Sequence, residues 1–368
     1  MSSTTNKSLF DGDDQIRPGR QACPVTLSPP VAVVQPLPGI GDMVWHMPHI
    51  RAIAAAVGAP VTLLAKPRSL ADQLFAGEPT VDSILSLDLN PGGRRGTHDG
   101  IIGLVRLARL MQGGRFGTII LLHHSVSIAA AAWLARIPRR QGYGWGRQRA
   151  FLTGGPFLPR DVARLHQHTR ATRYLEEAGI PLPSAEPTLP VGAATRAEAR
   201  LRLNLAREPF VAVGIGSSEP LRQWGVARFT ELTAEMLDAG WPRVVLLGGP
   251  EDAGMAHAIH AQLGGRAERM RLALGWHLAE VAGLLAEAAF YVGNNTGVMN
   301  MAAAVGIRTY ALFGTTKPFH HASQIVAITT LDTGVHDGMV RLPLDAVLAA
   351  IRADRGWLSP GQKRDALI

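Results

Sequence analysis

Cysteine is nearly absent: the 368-residue chain has one, Cys23, so no disulfide can close within it and no cysteine-based metal site can form. That usage fits a reducing compartment, and a cytoplasmic location is the expectation. Lysine is almost as scarce, limited to Lys7, Lys66, Lys317 and Lys363, so the formal net charge of +8 and the pI near 10.3 come from arginine. No apolar run is long and unbroken enough to span a membrane. The most apolar stretch, Gly117 to Pro138, is interrupted by His123, His124, Ser125 and Ser127 and reads as a buried strand followed by a helix. Residues 1–29 lack the apolar segment of a signal peptide; rich in Ser, Thr, Asp and Pro, they read as a disordered tail. There is no interleaved basic–aromatic run and no zinc-finger or RNA-binding signature, which sets nucleic acid aside as a partner. His46, His49, His123, His124, His166, His168, His320 and His321 read as scattered, without metal-ligand spacing beside a carboxylate, so neither a metal nor another cofactor is expected.

What is present is a globular composition, 46% hydrophobic and 18% charged, in a chain long enough for two domains. The arginine excess suits diphosphates, phosphorylated glycolipids or a negative membrane surface. Short β-rich runs alternate with helical patterns: strands at 31–35, 61–65, 81–87 and 118–122, with helices between and after them. The pattern restarts at 210–215. Asp161–Ala178 reads as one long helix. Pro181, Pro183, Pro187 and Pro190 then resist both helix and central strand and mark a boundary. The expected organisation is a tail (1–29), an acceptor-binding half (30–185), a nucleotide-sugar-binding half (186–355) and a polar tail (356–368). The fold class is α/β: two Rossmann-like domains facing a central cleft, the GT-B architecture, with ligands at the carboxyl ends of the strands. The helix around Ile101–Met111 carries Arg106 and Arg109; it reads first as sheet packing, with a membrane surface second.

Four strand-to-helix turns carry the chemistry. Gly39-Ile40-Gly41-Asp42 allows a tight turn and close approach of a ligand, but Val44 occupies the place of the third glycine of a dinucleotide fingerprint, which disfavours a nicotinamide oxidoreductase. Asp42 reads either as a helix cap or as a general base at the mouth of the cleft. Gly214-Ile215-Gly216-Ser217-Ser218 offers N–H and O–H donors to a phosphate, and Arg222 could neutralise a departing diphosphate. In Gly248-Gly249-Pro250-Glu251-Asp252, Glu251 reads as a cap or a ribose ligand. Gly293-Asn294-Asn295-Thr296-Gly297 opens a helix whose N-terminus is a ready anion site.

These turns, in this order, resemble glycosyltransferase family 9, the heptosyltransferases. The likeness is carried by Gly39–Met43 with Pro48 and Arg51, Gly214–Trp224, Leu247–Glu251, Gly293–Gly297 with Ala302–Gly306, and Leu312–Thr316. It covers roughly residues 30–352. The resemblance implies an inverting, metal-independent transfer of a sugar, expected to be heptose, from a nucleotide-diphosphate sugar, expected to be ADP-linked, to a lipopolysaccharide-core acceptor. It implies Asp42 as base, with Gly41 and His46 on the acceptor side. Ser217, Ser218, Arg222, Glu251, Trp276 (on the adenine), Asn295, Thr296 and Gly297 fall on the donor side. Partners so implied are the nucleotide sugar, an anionic glycolipid or saccharide, and peripheral contact with the inner membrane. Asn295 and Asn300 depart from the family's Asp and His, losing a charge and a titrating imidazole. That departure opens a second reading, a nucleotide-sugar-binding paralogue without transfer; a GT-B epimerase acting on a nucleotide sugar is a separate third.

Overall fold

The computed structural model describes residues 25–354, without 315, 320 and 330–337. The first half alternates β1 (Val31–Gln35), α1 (Ile40–Val57), β2 (Val61–Ala65), α2 (Ala71–Leu74), β3 (Val81–Ser86), α3 (Gly100–Gly113), β4 (Thr118–Leu121), α4 (Val126–Leu134) and β5 (Arg139–Gly142), then α5 (Gln167–Glu177). The second half runs α6 (Ala193–Arg202), β6 (Phe210–Gly214), α7 (Val226–Asp238), β7 (Arg243–Gly248), α8 (Ala253–Gln262), β8 (Met270–Leu274) and α9 (Leu278–Leu285). It continues through β9 (Tyr291–Asn294), α10 (Gly297–Ala304), β10 (Thr309–Phe313), β11 (Ile325–Thr329) and α11 (Leu344–Ala353).

Both sheets are parallel, ordered β3-β2-β1-β4-β5 and β11-β10-β9-β6-β7-β8. Central strands such as β1 (VAVVQ) and β6 (FVAVG) are buried along their whole length, as strands covered by helices on both faces must be. In each sheet the strand order reverses beside the first strand, between β1 and β4 and between β6 and β9. Loops leaving the carboxyl ends there diverge to opposite faces and open a crevice, the usual ligand position in such sheets. The Asp42 turn leaves β1; the turns at 214–218 and 293–297 leave β6 and β9.

Helix α1 explains how the halves meet. It buries Met43, Val44, Met47, Ile50, Ile53 and also His46 and His49, so apolar contact surrounds it on most sides. One hydrophobic cluster accordingly runs from Val33 and Met47 through Tyr174 to Phe210 and Ala302, across both halves. Each large side chain buried in this way stabilises the fold by about 1.5–3 kcal/mol. Gly58, at φ +70°, ends α1 with its N–H on the Ala54 carbonyl.

The structure corrects several expectations. Residues 25–29 do not belong to a loose tail: Val25 N–H donates to Ala178 O, and Ser28 exchanges hydrogen bonds with Thr118 at the foot of β4. The rest of that tail and residues 356–368 lie outside the described residues. The helix expected over Asp161–Ala178 is a 3-10 turn (Asp161–Arg164) followed by α5, because the ring of His166 caps a new helix start and Arg170 holds the Leu165 carbonyl. The strands β5, β8 and β11 and helix α6 escape the sequence pattern. All three strands are sheet edges, and β5 reads Arg-Arg-Gln-Gly, which no apolar alternation reveals.

Candidate active site

Asp42 is the third residue of α1, and its Oδ2 accepts the Gly39 N–H at 3.0 Å. The carboxylate therefore caps the helix, satisfying one of the amides that a helix start leaves free. Among the described residues it makes no second hydrogen bond. Burial pushes its pKa above the usual aspartate value; the Gly39 N–H and the positive charge of Arg222 work against that rise. Arg222 comes from the second half, so the two halves present opposite charges to each other across the crevice.

Around Arg222 the second half is held from below. Asn294, fully buried at the end of β9, donates to the carbonyls of Ile215 and Gly216 and to Gln223 Oε1. Among the described residues its Oδ1 has no partner. Ser217 Oγ donates to the Glu219 carbonyl, while Ser218 is exposed. The Arg222 guanidinium lies 3.1 Å from the Glu219 carboxylate, a partly exposed pair that is easily exchanged for another anion. Glu251 is exposed, and its carboxylate folds over Gly249, where a Cβ would meet it at 2.4 Å. Trp276 is half-buried with the Arg202 guanidinium 4.2 Å from its ring centre. Asn295 Nδ2 donates to Thr316 Oγ1. Sequence reasoning misses Asn294, because an asparagine beside glycine reads as an ordinary turn residue.

The start of α10 packs directly on the start of α1. A Cβ on Gly297 would lie 2.6 Å from the Ile40 Cβ, and one on Gly41 would lie 2.7 Å from Asn300 Nδ2. Gly297 thus sits within contact of the Asp42 turn, and glycine is required there because any Cβ would meet the Ile40 Cβ and the Gly41 backbone. Asn300, 4% exposed, donates to the Thr296 carbonyl and accepts the Trp45 indole N–H at 2.8 Å; His321 Nε2 is 2.8 Å from the same oxygen. The amide ties α1, α10 and the loop after β10 together.

The histidines are not scattered. Phe319 stacks on His166 (3.8 Å between ring centres) and on His321 (5.1 Å), and Trp45 meets His166 edge-on at 4.4 Å. His168 and His49 extend the group, with His46 behind them. Burial pushes His46 and His123 down to about 4 and His166 to about 3, so these rings are neutral at physiological pH. His46, expected on the acceptor side, is fully buried; its Nδ1 donates to the Asp42 carbonyl at 2.6 Å, which places it behind the turn rather than on its surface. His320 lies outside the described residues. Among the described residues no group of three His, Cys, Asp or Glu side chains is arranged to hold a metal.

The family model for glycosyltransferase family 9 (heptosyltransferase) matches residues 104–336, a span that begins after the Asp42 turn. Lipopolysaccharide heptosyltransferase 2 of Escherichia coli K12 is 22% identical over 343 residues, covering 85% of this chain and 95% of that protein. The protein of the same name from Salmonella typhimurium is 23% identical over 310 residues, covering 79% and 86%. Among solved structures, a family 9 glycosyl transferase of Veillonella parvula superposes with a TM-score of 0.71 at 20% identity, covering 88% of this chain and 96% of that one. The E. coli ADP-heptose lipopolysaccharide heptosyltransferase II gives 0.69 at 20% identity, covering 88% and 97%. The two-sheet architecture is therefore that of the GT-B heptosyltransferases, and the matched span is well over half of the chain. The chain belongs to glycosyltransferase family 9, the heptosyltransferases.

Proposed function

We propose that this enzyme transfers a heptose, with inversion, from ADP-heptose to an anionic saccharide acceptor of the lipopolysaccharide core. The relatives' names supply the donor and acceptor class; the roles of individual residues rest on the geometry of the crevice. The observation that carries the reading is Asp42: a half-buried carboxylate with raised proton affinity, facing the Arg222 charge from the other half. The acceptor binds the first half (30–185) and the nucleotide sugar the second (186–355).

An acceptor hydroxyl attacks the anomeric carbon as Asp42 takes its proton, and the bond from that carbon to the diphosphate breaks with its electron pair leaving on ADP. Arg222 exchanges Glu219 for the diphosphate. Ser217, Ser218 and the free N–H groups at Thr296 and Gly297 receive the remaining charge. Glu251 would bind ribose, and adenine would pack on the ring face of Trp276 that Arg202 leaves open. Asn295 and Asn300 keep this site intact because both are engaged structurally, the first with Thr316 and the second with Trp45.

A cytoplasmic setting accompanies this reading; no described helix is long and apolar enough to cross a membrane. The test is mass-spectrometric detection of heptose addition when ADP-heptose and heptose-deficient lipopolysaccharide are supplied to the purified chain. Donor consumption without an acceptor, or binding of ADP-heptose with no transfer to any core acceptor, would sink the proposal.

A further inference from the structure

The rim of the first sheet carries a stripe that neither the core nor the crevice uses. Helix α3 buries Gly103, Leu107, Ala108 and Met111. On its other side Ile101, Ile102 and Val105 are 84%, 64% and 41% exposed, and exposed Arg106 and Arg109 continue the same face. Ile101, Val105 and Arg109 follow one another at four-residue steps, as do Ile102 and Arg106, so these side chains are neighbours. A single exposed isoleucine is ordinary; three branched apolar residues on the first turns of one helix, followed by guanidinium groups, form a face.

Its position is set by topology. α3 begins in the loop that leaves the carboxyl end of β3, and α1 begins where the chain leaves β1 in the same parallel sheet. The exposed isoleucines and the Asp42 turn therefore lie on one rim.

Its charge is of one sign. From residue 100 to residue 160 the chain has nine arginines and no aspartate or glutamate. Exposed Arg94 and Arg95 precede the helix. The two carboxylates of that preceding loop are turned onto its own backbone: Asp88 accepts the Thr97 N–H, and Asp99 accepts the N–H groups of Asn90 and Gly96, each at 2.7 Å.

We propose that this face docks the enzyme on an anionic phospholipid bilayer, with Ile101, Ile102 and Val105 in the headgroup–acyl boundary and Arg94, Arg95, Arg106 and Arg109 on lipid phosphates. Docked in this way, the acceptor side of the crevice faces the membrane. The proposal goes beyond the transfer reading, since lipid binding is measured with neither donor nor acceptor present.

The experiment is co-sedimentation of the full chain with vesicles of phosphatidylcholine alone and of equal parts phosphatidylcholine and phosphatidylglycerol. Binding to the anionic vesicles should exceed binding to the neutral ones by about tenfold or more and fall as salt is added. The double substitutions Ile101→Asp with Ile102→Asp, and Arg106→Glu with Arg109→Glu, should each lower it about tenfold. All four side chains are exposed, so circular dichroism should be unchanged; a pair that misfolds leaves the other to decide. Trp133→Ala, at the far end of α4, should leave binding intact. Absent binding, equal binding to both vesicles, indifference to both double variants, or equal sensitivity to Trp133→Ala would overturn the proposal. So would sedimentation velocity showing a dimer that the same double variants separate, because the face would then cover a second copy of the chain.

Discussion

Two turns of this molecule share a local design and differ in what surrounds them. Gly39 N–H donates to Asp42 at 3.0 Å, and Gly249 N–H donates to Asp252 at 2.8 Å; in both, a glycine after a strand is capped by the aspartate three residues on. Burial raises the proton affinity of both carboxyls. Asp252, however, is closed in by its own half: a Cβ on Gly216 would fall 2.6 Å from its Oδ2, and the charge of Glu251 pushes its pKa further up. Asp42 instead faces Arg222 from the opposite half, whose charge favours its ionised form. The same cap is enclosed in one half and, in the other, opens on a crevice with a counter-charge, which is why the proposed base is Asp42 and not Asp252.

The sharpest way to break this comparison is a matched pair of substitutions. Asp42→Asn keeps the capping geometry but removes the base, and transfer should fall by about 10²–10⁴-fold without loss of fold. Asp252→Asn should change the rate constant for transfer by less than about threefold, since the side chain is 7% exposed and engaged with the Gly249 N–H. Equal losses in the two variants, measured as kcat with ADP-heptose, would erase the distinction. Arg222→Ala should come next, with a decrease of about 10²–10³-fold as the diphosphate loses its cation, seen in kcat more than in KM.

Stability effects are smaller. Asn300→Ala leaves the Trp45 indole N–H with His321 Nε2 as its remaining acceptor and should cost about 0.5–1.5 kcal/mol in urea unfolding, the worth of one hydrogen bond; no change would show that the α1–α10 contact holds without the amide. The smallest effect is the most diagnostic of burial. Because the folded-state pKa of Asp42 is raised, ionising it opposes folding, and stability falls as pH climbs from the ordinary aspartate range through the folded value. Asp42→Asn should therefore melt higher than the unaltered chain at neutral pH, and the advantage should vanish in acid below that range.

Much of this was legible in the residues. The central strands β1 and β6 announce themselves as continuous apolar runs, and the glycine-bearing turns mark where they end. The edge strand β3 was also legible, at 81–87, but the edges β5, β8 and β11 were not, because a strand with one neighbour tolerates a sequence such as Arg139–Gly142. The histidine cluster was invisible for another reason: His49, His168 and His321 meet only after α1, α5 and the loop after β10 have packed, and no spacing encodes that. Asp252 was overlooked beside Glu251, since the exposed neighbour offers the more obvious ligand and the buried one shows its role only against Gly216. Asn300 read as a lost imidazole, whereas its place in the fold is a junction between halves.

The central claim, that Asp42 is the base, its proton affinity raised by burial and held back by the Arg222 charge from across the crevice, is tested most directly by the pH dependence of kcat/KM for transfer. The unaltered enzyme should lose activity in acid with an apparent pKa above the ordinary aspartate value. That limb should move to higher pH in Arg222→Ala, where the charge favouring the carboxylate is gone, and should disappear from the residual activity of Asp42→Asn. An acid limb that persists unchanged in Asp42→Asn would contradict the account.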